Sequence, residues 1–115
     1  MPYKFKVTIN YPSEQVSSQE QYKTWISNQI GESNFRKLFD FLENDQVNTD
    51  VKIDRNDNAS AMSMTRMYSS QEDANKARTA ITGYLISLGD KATVGNTVKM
   101  TQKEFDSGNT VYTTR

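Results

Sequence analysis

Three observations predict an α+β fold, with an antiparallel sheet and helices on one face. Residues 3–11 alternate apolar and polar with a period of two. Two stretches, within residues 17–42 and 69–88, repeat their apolar residues at helical spacing. Further alternating segments lie around a cluster of turn formers at residues 55–58. With 115 residues, no internal repeat and no linker, the chain is expected to form a single domain spanning 1–115. A domain of this size buries roughly two-thirds of its unfolded surface, enough to stand alone with little excess.

Taken in order, Tyr3, Phe5, Val7, Ile9 and Tyr11 alternate with Lys4, Lys6, Thr8 and Asn10, and Pro12 ends this first strand. Ser17 followed by Glu20 is a capping-box signature, so a helix starts there. Tyr22, Trp25, Ile26 and Ile30 form its apolar stripe, and Gly31 stops it. A second helix is expected from Ser33, with Phe35, Leu38, Phe39 and Leu42 on one face. Val47, Thr49, Val51 and Ile53 alternate as a second strand. Arg55-Asn56-Asp57-Asn58 turns the chain into a third strand, Ala59 to Tyr68. A third helix is capped by Ser69 or Ser70 and carries Ala74, Ala77, Ile81, Tyr84, Leu85 and Leu88 before Gly89. Gly83 either weakens that helix or lets it pack closely on the sheet. Val94, Val98 and Met100 suggest a fourth strand broken at Gly95-Asn96. Asp106-Ser107-Gly108-Asn109 reads as a hairpin loop, with Val111 and Tyr112 as a short extra strand or the last ten or so residues as a tail.

The resulting order, β-αα-β-β-α-β, is the split βαβ plan and resembles the ferredoxin-like superfold in layout. That superfold hosts many unrelated functions, so the layout implies none of them. Phe5, Val7 and Ile9 are expected to face the helices. On the third strand Met62, Met64 and Tyr68 share a face with Arg66, while Ala61, Ser63, Thr65 and Met67 share the other. One reading puts the small residues under the helices and leaves the methionines as an apolar strip on the open side. The other makes the methionine face the core face. The first reading leads to an interaction surface of Met62, Met64, Arg66 and Tyr68 with Lys4 and Lys6, covered by back-to-back pairing of two copies.

Composition removes whole classes of chemistry. Cysteine and histidine are absent, which excludes disulfides, thiol nucleophiles, thiolate or imidazole zinc sites and any Ser-His-Asp triad. Fourteen Lys+Arg balance fourteen Asp+Glu, so nothing in the net charge favours a nucleic acid or an anionic membrane as partner. Residues 1–10 carry no apolar signal-peptide core, and no run of eighteen apolar residues offers a membrane span. The expectation is a cytoplasmic protein without cofactor.

Individual motifs are weak. Asp54, Asn56 and Asn58 match the first ligands of a calcium loop, but Ala59 and Thr65 stand where the turn glycine and the bidentate glutamate belong. Six acids between Asp40 and Asp57 read as a solvated edge, or as a docking face for a basic partner. The third strand lacks the basic-glycine-aromatic signature of RNA-recognition domains. Tyr22, Trp25 and Tyr84, with Met64, could line a pocket for a flat organic molecule between sheet and helices, as in dimeric α/β-barrel enzymes. The leading expectation is therefore a non-enzymatic interaction or regulatory module, such as a phage accessory protein, whose candidate partners are a second copy of itself, as a homodimer, and another protein. The alternatives are a dimeric small-molecule binder or cofactor-free enzyme, and last a nucleic-acid-binding module.

Overall fold

A computed structural model of the protein describes residues 1–48, 51–57 and 60–108. Strand β1 (Tyr3–Asn10) leads into helices α1 (Gln19–Ile30) and α2 (Glu32–Asn48). Strands β2 (Lys52–Asp57) and β3 (Ala61–Tyr68) follow, then helix α3 (Gln71–Tyr84) and a 3-10 stretch, Ile86–Lys91. Short strands β4 (Ala92–Val94) and β5 (Val98–Lys99) and helix α4 (Gln102–Ser107) complete the order. The sheet is antiparallel throughout, in the order β2-β3-β1-β4, with β5 also paired to β1. It is an α+β architecture, as the alternation and helical periodicities predict. Among the described residues no helix is long and apolar enough to cross a membrane.

The register settles which side of β3 meets the helices. Directly opposed residues of an antiparallel ladder share a face. Tyr3 lies opposite Tyr68, Phe5 opposite Arg66, Val7 opposite Met64 and Ile9 opposite Met62. Phe5, Val7 and Ile9 are buried in the main core, and Tyr68 and Met64 belong to or pack against the same cluster. Met62, Met64, Arg66 and Tyr68 are therefore on the helix side, not on the open side where an interaction surface would need them. The small residues Ala61, Ser63 and Thr65 take the open side with Lys6, Thr8 and Asn10. Sequence alternation identifies the two faces of a strand but not which face is which; pairing with β1 decides it.

The open side also has its own cover. Met67, Met100 and Phe105 form a second small core, which seats α4 against the sheet. Thr101 caps α4 through a reciprocal capping box with Glu104. Lys52 Nζ lies 4.6 Å from the Phe105 ring centre, and Lys4 Nζ is 3.8 Å from a Glu104 carboxylate oxygen. The turn expected at residues 106–109 is thus mostly the end of a helix. The extra strand expected at Val111 and Tyr112 lies outside the described residues.

Local chemistry sets the helix boundaries. Ser18, rather than Ser17, caps α1 by accepting from the Gln21 N–H. Gly31 alone separates α1 from α2, at φ 91° and ψ 147°, a conformation that residues with a Cβ avoid. Helix α2 continues to Asn48, so the residues expected to open the second strand at Val47 are helical and β2 starts only at Lys52. Ser70 caps α3 by accepting from the Asp73 N–H. That helix ends at Tyr84, and the chain kinks at Gly89, with φ 55°, within the 3-10 stretch.

The helices do not sit on the sheet equally. Helix α3 presents Ala74 and Ala77, both buried, and so comes close to β1 and β3. Helix α2 instead presents Phe35, Leu38 and Leu42 to the core. Its nearest backbone neighbours are α1 and α3, so it stands off the strands. Large side chains on one helix and alanines on the other leave space beneath α2.

Candidate functional site: an apolar cleft beside a buried arginine

That space is a cleft of about 210 Å3 between α1, α2 and the strands. Val7, Ile9, Met62 and Met64 form its floor, and Ile26, Phe35, Leu38 and Phe39 stand on the helical side. Half-buried Lys23 and Arg55 and exposed Glu43 also line it and mark where it meets solvent. Methionine suits such a wall, since its unbranched thioether adapts to the shape of whatever lies against it. A cavity of ~150 Å3 lined by apolar side chains stays dry and takes up benzene. By the same measure this cleft holds roughly eight to ten non-hydrogen atoms.

One polar residue of the wall, Arg66, has a side chain that is 0% exposed. Its Nη2 donates to Asp45 Oδ2 at 2.8 Å, and its Nε donates to the Tyr68 hydroxyl oxygen at 2.8 Å. The Tyr68 hydroxyl in turn donates to the same Asp45 oxygen at 2.5 Å. Phe5 stacks on the Tyr68 ring with centroids 5.8 Å apart and planes within 7°. This closed triangle explains how a guanidinium, an acid and a phenol are tolerated inside: each partner satisfies part of another. Burial pushes the Tyr68 phenol well above its ordinary ionisation range; the hydrogen bond to Asp45 and its charge add to that, while Arg66 opposes it. One donor is left over. Arg66 Nη1 is buried and has no hydrogen-bond partner among the described residues.

The expected site residues separate into several places. Met62, Met64 and Arg66 line the cleft, which is the opposite side of the sheet from the interaction surface expected of them. Tyr68 is fully buried beneath the helices. Lys4 and Lys6 remain on the open side, Lys4 beside Glu104 and Lys6 exposed. Of the three aromatics expected around a pocket, Tyr22 lines the cleft. Trp25 is buried next to it, 6.4 Å between ring centres, without reaching the cleft. Tyr84 lies by Phe41 in a separate shallow depression that also includes Lys37 and Asn44. The pocket expected from these three aromatics is therefore not formed as a unit.

Asp45 belongs to the acidic run expected to be a solvated edge, yet its side chain is 9% exposed and bonded to Arg66 and Tyr68. The signal lay in its spacing: Leu38, Leu42 and Asp45 fall at i, i+4 and i+7, which places the acid on the apolar stripe of α2. An acid on the buried stripe of a helix and an arginine on the buried face of a strand need each other. Comparison with protein-family models, with curated proteins and with solved structures finds no match to this chain.

Proposed function

We propose that this protein is a small-molecule-binding domain that holds a compact apolar ligand between α2 and the sheet, on a ferredoxin-like plan. The strand order β2-β3-β1-β4, with crossovers carried by α1–α2 and by α3, supports that plan. The observation that carries the function is the gap itself. Apolar side chains from three helices and three strands surround a volume that the protein's own side chains leave empty. Cores ordinarily close-pack, so an unfilled apolar space of this size forfeits contacts that a ligand would restore. Binding sites are commonly apolar concavities with a few polar groups, and this one has that composition.

The reading replaces pairing through the open sheet face as the first proposal. The methionines that motivated pairing lie under the helices, and α4 packs over part of the open side. A cleft formed by one chain also needs no second copy to enclose a ligand.

Titration of the labelled protein with toluene, followed through the methionine methyl resonances, tests this directly. Saturable shifts at Met62 and Met64, with Met67 and Met100 unmoved, are expected. Linear, unsaturable shifts or equal shifts at all methionines would refute ligand binding in the cleft.

A further inference from the structure

We infer that the ligand is a monocyclic aromatic compound lying flat on the strand floor of the cleft, an inference that rests on the cleft being a ligand site. Two independent observations carry it. The first is shape. Val7 pairs with Met64 and Ile9 with Met62 on adjacent strands, and all four line the cleft. Neighbouring side chains on one sheet face stand about 5 Å apart across strands and about 7 Å apart along them. The four therefore make a flat floor with about the footprint of one six-membered ring. Phe35, Leu38 and Phe39 face it from α2 at i, i+3 and i+4. The second is the chemistry of the walls. Met62 and Met64 are half-buried along the cleft, whereas Met67 and Met100 are buried in the second core. A polarizable thioether attracts an aromatic ring beyond what apolar burial alone supplies. The Phe35 and Phe39 rings, with centres 4.7 Å apart and planes at 52°, and the Tyr22 ring offer a further ring offset or edge-to-face contacts.

Size and polarity narrow the ligand further. Room for roughly eight to ten non-hydrogen atoms admits one ring with one or two small substituents. The cations at the mouth are engaged with the wall itself. Lys23 Nζ lies 5.9 Å from the Phe39 ring centre, and Arg55 Nη2 donates to the Met62 sulfur at 3.1 Å. The ring is thus held by its faces and edges, through dispersion and sulfur–π contact, rather than by hydrogen bonds.

Toluene and methylcyclohexane share a carbon skeleton and differ in aromaticity, so the pair separates the two claims. Both are titrated into the intact protein by NMR. The Val7, Ile9 and Leu38 methyls report binding, and the methionine methyls report orientation. Toluene is expected to saturate and to move the Met62 and Met64 methyls upfield, as shielding over a ring face requires. The variant Met62→Leu/Met64→Leu keeps the apolar volume but removes both sulfurs. In it the affinity ratio of toluene to methylcyclohexane is expected to fall ~3-fold or more, the worth of two weak sulfur–ring contacts. An unchanged or higher ratio, saturation by methylcyclohexane alone, or methionine shifts that are absent or downfield would overturn the aromatic inference while leaving the cleft a ligand site. Saturable shifts from neither probe in the wild-type protein overturn both. Should the variant fail to fold, the direction of the wild-type methionine shifts decides the matter.

Discussion

Replacing Asp45 with alanine removes the acceptor shared by Arg66 Nη2 and the Tyr68 hydroxyl. Arg66 is 0% exposed, so its charge cannot turn to water without opening the core. At 2.8 Å and an effective dielectric of about 20, the lost attraction is about 6 kcal/mol before desolvation is considered. Breaking a buried pair from one side costs about 3–5 kcal/mol in practice, because the remaining charge stays buried and unpaired. Against a total stability of about 5–15 kcal/mol for a domain, that is roughly a fifth of the fold or more. Tm is expected to fall by roughly 12–20 °C. Urea unfolding monitored by the fluorescence of Trp25, the single tryptophan and a core residue, measures the change. Asp45→Leu/Arg66→Met, which leaves no orphan charge, is expected to recover most of the loss. A loss below about 1 kcal/mol for Asp45→Ala would refute the reasoning, since it is the value of a solvated surface pair.

Two further outcomes follow from individual residues. Gly83 is exposed within α3, and a Cβ built there meets nothing within 4 Å, so Gly83→Ala is expected to stabilise by about 0.5–1 kcal/mol in the same urea assay. Burial raises the Tyr68 phenol above its unfolded value of 10.0. Its contribution to stability is therefore complete below about pH 10 and is lost as the pH rises beyond that. An alkaline absorbance titration should show one of the six tyrosines ionising only with unfolding, and Tyr68→Phe should remove that component.

The fold was readable where periodicity and punctuation agree. Tyr3 to Asn10 alternates without interruption, Gly31 breaks the helices, and Ser70 begins α3, all local signals that tertiary contacts do not overturn. Boundaries slipped where a local pattern suits two states. Val47 extends α2 although its alternation with Thr49 and Val51 suggests a strand, and the turn formers at residues 106–108 finish a helix because Thr101 and Glu104 cap it. The site was legible only in part. Tyr22 and Met64 line the cleft, and so does Arg66, which the sequence pattern alone placed on the other side of the sheet. Strand alternation carries no absolute direction. The direction comes from pairing between residues some 60 positions apart, such as Val7 with Met64, which no local window contains. Asp45 was missed for a related reason: a carboxylate on an apolar stripe makes sense only once its buried partner on another element is known.

The central claim, that α2 stands off the sheet over an apolar space open to a ligand, is tested most directly by diffraction from crystals pressurised with xenon. Xenon occupies dry apolar cavities without demanding any polar partner. A xenon atom between Leu38 on α2 and Met64 on β3 is the expected result. Leu38 and Met64 in direct van der Waals contact, with no xenon between them, would contradict the account.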